Sequence, residues 1–117
     1  MISPRLGSKP KARRLPVTEP HKPYRWYFSA TATREYLAIA GLPDDDGGPN
    51  WLRAEKELGA HTAIAREAGH NDTGLIYRTG RVKVGDRPKS TRLEFVVRHT
   101  PREEGDLPQL VRVRDKG

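Results

Sequence analysis

The hydrophobic pattern changes period at Gly74 and divides the chain into a helical part and a β part. Before it, Trp51, Ala54, Leu58, His61, Ala65 and Ala68 recur at alternating steps of three and four, the narrow apolar stripe of an amphipathic helix. Pro49 suits the first position of that helix, where a missing N–H costs nothing, and Gly69 ends it, so the spacing predicts a helix over 49–68. A shorter helix is expected over 31–40, with Tyr36, Ile39 and Ala40 on one side; Gly41 closes it and Pro43 prevents its continuation. Tyr24 to Phe28 is aromatic and β-prone and reads as a first strand. After Gly74, segments 75–78, 81–84, 92–98 and 109–114 alternate or run β-branched, separated by turn residues. The predicted order is β-α-α-β-β-β, with a break or hairpin in the second strand. It specifies an α+β domain in which two helices pack on one face of a small antiparallel sheet.

Strand side chains alternate between faces. Val82, Val84, Leu93, Phe95, Val97, Val111 and Val113 are therefore expected to face the helices. The opposite face then collects Arg81, Lys83, Arg92, Glu94, Arg98, Arg112 and Arg114. Six cations and one anion on one side of a sheet repel one another unless something negative lies across them. Splaying at strand ends, or pairing with Glu94, Glu103, Glu104 or Asp115, is the structural alternative.

Charge is concentrated in a second place. Residues 1–23 carry six Lys/Arg, Arg13 and Arg14 among them, against the single acid Glu19, and five prolines. Proline fixes φ and removes backbone donors, so this stretch reads as a disordered basic arm preceding one domain over 24–117. The rest of the chain has sixteen basic against fourteen acidic side chains, so most of the net +7 sits in the arm. Apolar content of 34% leaves that domain a thin core and a well-solvated surface. With no cysteine, disulfides, a thiolate nucleophile and thiolate zinc sites are excluded. No apolar run approaches the roughly 18 residues that span a membrane, and no apolar stretch follows the basic N-terminus as in a secretory signal. A cytoplasmic protein is the expectation.

The remaining polar motifs are modest. His61 lies on the apolar stripe, where a hydrogen-bonded core histidine is the ordinary case. His70 and Asp72 could share a metal with His99, but their spacing matches no recurrent zinc pattern. Asp44-Asp45-Asp46 lacks the spaced ligands and closing Glu of a calcium loop and reads instead as negative charge ahead of a helix N-terminus. No P-loop, dinucleotide fingerprint or Ser/His/Asp spacing occurs. No metal, cofactor or catalytic residue is expected.

In element order and basic charge, residues 24–114 resemble the RelE/ParE superfamily of toxins. The residues that carry the resemblance are Tyr77 and Arg78, then Arg81, Arg92 and Arg98 on later strands. It implies a ribonuclease that cuts messenger RNA with cationic and aromatic side chains on its sheet. The closing Asp115-Lys116-Gly117 carries no terminal aromatic or histidine of the kind active members often have. The residues alone point first to a small non-catalytic nucleic-acid-binding protein, RNA favoured over DNA. Arg81, Lys83, Arg92, Arg98, Arg112 and Arg114 would meet phosphates while Arg13 and Arg14 of the arm add affinity. An adaptor docking an acidic protein is the third reading. Tyr77, and Trp26 or Tyr27 if exposed, could stack on unpaired bases.

Overall fold

A computed structural model describes residues 26–98 and 108–117. Arg13 and Arg14, with the rest of the arm, lie outside the described residues. Strand β1 (Tyr27–Phe28) leads into helix α1 (Ala30–Ala40). Ser29 caps this helix by accepting from the Ala32 N–H at 3.0 Å. At its other end Gly41 turns left-handed, with φ of 73°, and the Gly41 and Leu42 N–H groups close on the Ala38 and Leu37 carbonyls.

Helix α2 (Pro49–Ile64) begins on the expected proline. Asp45 satisfies its first turn, its carboxylate accepting from the Asn50 and Trp51 N–H groups at 2.7 and 3.0 Å. The helix stops four residues earlier than the stripe predicts. Ala65 turns extended, and Arg66–His70 forms strand β2, hydrogen-bonded antiparallel to β3 (Leu75–Val82). Ala65 and Ala68 are good helix formers, but pairing with a neighbouring strand overrides propensity over so few residues. Strands β4 (Thr91–Arg98) and β5 (Gln109–Asp115) complete the sheet.

The strand order is β1-β5-β4-β3-β2. Strands β2 to β5 are antiparallel, as expected, while β1 runs parallel to β5 with Tyr27 opposite Gln109, so the sheet is mixed. Two helices and this sheet make the predicted α+β architecture. Tyr36, Leu37, Ala54 and Leu58 from the helices pack with Leu93, Phe95, Val97, Leu110 and Val113 from the sheet. Trp26 and Tyr77 belong to this core, with Trp26 edge-on to Tyr77 and Phe95 at 5.2 and 6.3 Å between ring centres. Neither ring is available to stack on a base; Tyr27 is exposed.

Besides a shift between Glu67 and Gly69 of β2, two register shifts decide which side chains of the central strands face which way. One lies between Arg78 and Arg81 of β3, where the sequence indicates a break; there the Thr79 hydroxyl turns inward and accepts from the Leu93 N–H at 3.1 Å. The other shifts β5 against β4, pairing Val97 with Leu110 but Val96 with Arg112. Leu110, not Val111, therefore fills the core, and the strict alternation expected over 109–114 fails at that bulge. Among the described residues no helix is long and apolar enough to cross a membrane.

Candidate functional site

The sheet face turned away from the helices is cationic, and the strand register arranges its cations in rows. Arg81 stands directly opposite Arg92, and Lys116, whose N–H donates to the Arg92 carbonyl at 2.8 Å, extends the row beyond β5. This first row is three cations with no acidic side chain among them. Two residues along the strands, Arg66 stands opposite Arg78, Arg78 opposite Glu94 and Glu94 opposite Arg114. The second row is thus three cations around one buried carboxylate. A third row, Ile76, Val96 and Arg112, is mostly apolar.

Neighbouring strands are about 4.8 Å apart, so cations opposed in this way repel by roughly 1–3 kcal/mol per pair unless they splay or meet an anion. Glu94 offsets part of this, taking the Arg78 Nε at 3.0 Å. In the first row Arg92 gives its Nε to a carboxylate oxygen of Gly117, the last residue of the sequence, at 3.1 Å, and Arg81 donates to the Ser90 carbonyl at 3.3 Å. The Ser90 oxygen is a neutral peptide carbonyl, so Arg81 keeps its charge, whereas the Gly117 carboxylate offsets part of the row at Arg92. Arg78, Thr79, Arg92, Leu93 and Lys116 line a cavity of about 270 Å³ between the two rows.

Of the side chains expected on this face, Arg81, Arg92 and Arg114 are brought together. Arg98 lies at the other end of β4, six residues or roughly 20 Å from Arg92. It lines a separate cavity of about 350 Å³ with His70, Asn71 and Thr73. Arg112 is held at the sheet edge by Glu35 of α1 at 2.7 Å, and the other Glu35 oxygen takes the Val113 N–H at 2.8 Å. Lys83 lies past the end of β3 and turns its ammonium to the Arg87 carbonyl at 2.5 Å. Arg66 and Lys116 join the rows without having been singled out in the sequence. Arg66 is hidden there by the apparent helix over 49–68, and Lys116 by its place after the last strand; the turn-rich His70-Asn71-Asp72-Thr73-Gly74 before a β run is the signal for a hairpin that would have exposed Arg66.

A second titratable cluster lies between the helices and the β3–β4 loop. The Tyr36 hydroxyl donates to Glu57 Oε1 at 2.5 Å and lies 3.2 Å from His61 Nε2. Glu57 Oε1 also accepts the Gly85 N–H at 3.0 Å, and its Oε2 takes the Arg53 Nε at 2.9 Å. Arg53 in turn forks onto Asp86 at 2.9 and 3.3 Å. Burial pushes the Tyr36 hydroxyl pKa far up, with Glu57 adding to it, and pulls His61 below its ordinary value. Burial acts to raise Glu57, but the Tyr36 hydroxyl, the Gly85 N–H and Arg53 together bring it below the usual glutamate range. Three donors meet the Glu57 carboxylate, so this cluster ties α1, α2 and the β3–β4 loop together.

The aspartate triplet is likewise spent on structure. Asp45 caps α2, while Asp44 and Asp46 pair with Arg34 at 3.0 and 3.7 Å. Among the described residues no group of three His, Asp or Glu side chains is placed to hold a metal ion. His99 lies outside the described residues. No family model, no curated protein and no solved structure matches this chain.

Proposed function

We propose that this protein binds nucleic acid, RNA in preference to DNA, through the cationic rows of its sheet, without acting on it catalytically. What supports this reading is the row Arg81–Arg92–Lys116, in which Arg81 stands directly opposite Arg92, Lys116 is hydrogen-bonded beside it, and no acidic side chain intervenes. Like charges in that arrangement are destabilising unless a polyanion lies across them. The helices offer no comparable surface: Arg34 and Arg53 are both taken up by carboxylates. Reading a DNA major groove calls for a helix or a two-stranded ribbon, whereas a sheet face suits an unpaired strand. The arm, with Arg13 and Arg14, adds sequence-independent affinity, and a cytoplasmic setting accords with a cysteine-free chain.

Fluorescence anisotropy of the full chain against labelled single-stranded RNA and duplex DNA across a salt series tests this. Affinity that falls steeply with salt and is higher for the RNA is the expected result. No binding to either at low salt would sink the proposal and turn attention to an acidic protein partner.

One observation favours a second reading. Arg78 and Arg92, two of the residues that carry the RelE/ParE resemblance, line one cavity together. A ribonuclease of that type would cut translated messenger and arrest growth on induction, and Arg92→Ala would abolish both effects. Unaffected growth on induced expression of the unaltered chain counts against it.

A further inference from the structure

The outer face of the sheet is not cationic throughout. In its third row Ile76 and Val96 stand opposite each other on the side away from the helices, yet they are only 8% and 2% exposed. Neither belongs to the core cluster that the helices close over. Gly69, which pairs with Ile76 on its other side, has no side chain to cover it. Arg112, which pairs with Val96 on its far side, is drawn to Glu35 at the sheet edge. Neither neighbour lays an apolar side chain over the pair, and shielding apolar surface from water takes one.

Outside the described residues, the arm carries Leu15 and Val17 on either side of Pro16, whereas 99–107 has the single aliphatic side chain Leu107. An extended chain turns side chains i and i+2 to one side, so Leu15 and Val17 can meet the pair together. Residues 15–21 hold no Lys or Arg and include Glu19, the one acid of the arm. This stretch can therefore lie beside the cationic rows without repulsion. The distance also suits it. Strand β3, which carries Ile76, is the third strand across from β1, about 14 Å away. Val17 lies nine residues before Trp26, and a proline-rich chain of that length spans about 28 Å.

We infer that residues 15–17 of the arm dock across Ile76 and Val96 on the outer face of the sheet, with Glu19 turned to the cationic rows. Docked there, the arm holds Arg13 and Arg14 beside those rows.

The chain has no cysteine, so a single introduced thiol reports shielding directly. The full chain carrying Val96→Cys is treated with a thiol reagent under native conditions, with and without Leu15→Ser/Val17→Ser, which removes apolar contact at constant charge. Val96→Cys should react slowly with the arm unaltered, and roughly tenfold or more faster with the arm variant, the scale of losing a local contact. Val97→Cys, whose side chain faces the helices, should stay slow in both, which separates release of the arm from loss of the fold. Glu19→Lys should speed labelling of Val96→Cys by a smaller factor that shrinks at high salt. Fast labelling of Val96→Cys with the arm unaltered overturns the inference. So does an unchanged slow rate in the arm variant, which leaves the cover to another segment, or equal acceleration at Val97→Cys. The labelling needs no ligand, so nucleic-acid binding stands or falls separately.

Discussion

Glu57 joins three parts of the molecule through one carboxylate, which accepts from Tyr36 of α1, Arg53 of its own helix and Gly85 in the β3–β4 loop. Removing its charge leaves the buried Tyr36 hydroxyl and the Gly85 N–H with a weaker acceptor. Glu57→Gln is expected to cost about 1–3 kcal/mol at neutral pH, measured by denaturant unfolding. Three groups in this cluster titrate lower in the folded state than in the unfolded chain, His61, Glu57 and, held by Arg53, Asp86. A depressed folded pKa gives stability that is full above the unfolded value and lost as pH falls through the folded one. Stability should therefore begin to fall below about pH 6.5, as unfolded histidine takes up protons, and fall further below about pH 4.5, as unfolded glutamate does. Glu57→Gln should keep the first decline and show a shallower second one in thermal melts. A melting temperature that stays flat from pH 7 to 4 contradicts this account of the cluster.

At the scale of the elements, two glycines make opposite predictions. Gly59 sits inside α2 with open space where a Cβ would be, so Gly59→Ala should stabilise the helix by about 1 kcal/mol. Gly85 has φ of +54°, and a Cβ there would lie 2.6 Å from the Ala40 carbonyl oxygen at the end of α1. Gly85→Ala should cost more than about 1 kcal/mol, from a strained backbone and a displaced helix end together. Chemical unfolding of both variants checks the pair, and equal effects in one direction would contradict it. Pro49, Gly41 and the alternating segments after Gly74 made both helices and three of the strands legible, because caps and periodicity are local signals. Strand β2 was not legible: Ala65 to Gly69 reads as helix locally and becomes a strand only because β3 lies beside it. The inward turn of Leu110 is equally hidden, since a bulge depends on the partner strand and not on the sequence around it.

Across the whole molecule, helices cover one sheet face and leave the other cationic, as the alternation of 81–98 foretold. Which cations keep their charge there was not legible, because their neutralising partners are distant in sequence: Glu35 reaches Arg112 from α1, and Asp115 takes Arg87 of the β3–β4 loop at 3.0 Å. The rows themselves depend on register, which brings Lys116 beside Arg92 and Arg66 beside Arg78. The account stands on the first row meeting phosphates. Its most direct test is the slope of log affinity against log salt for a single-stranded RNA. The full chain would be compared with an Arg81→Ala/Arg92→Ala/Lys116→Ala variant and a Lys56→Ala/Lys89→Ala control. Each phosphate contact contributes about 0.7 to that slope for a single strand, so losing the row should flatten it by about 2 while the control stays close to the unaltered chain. A triple variant whose slope is unchanged, or no flatter than that of the control, would show that the row does not meet the polyanion.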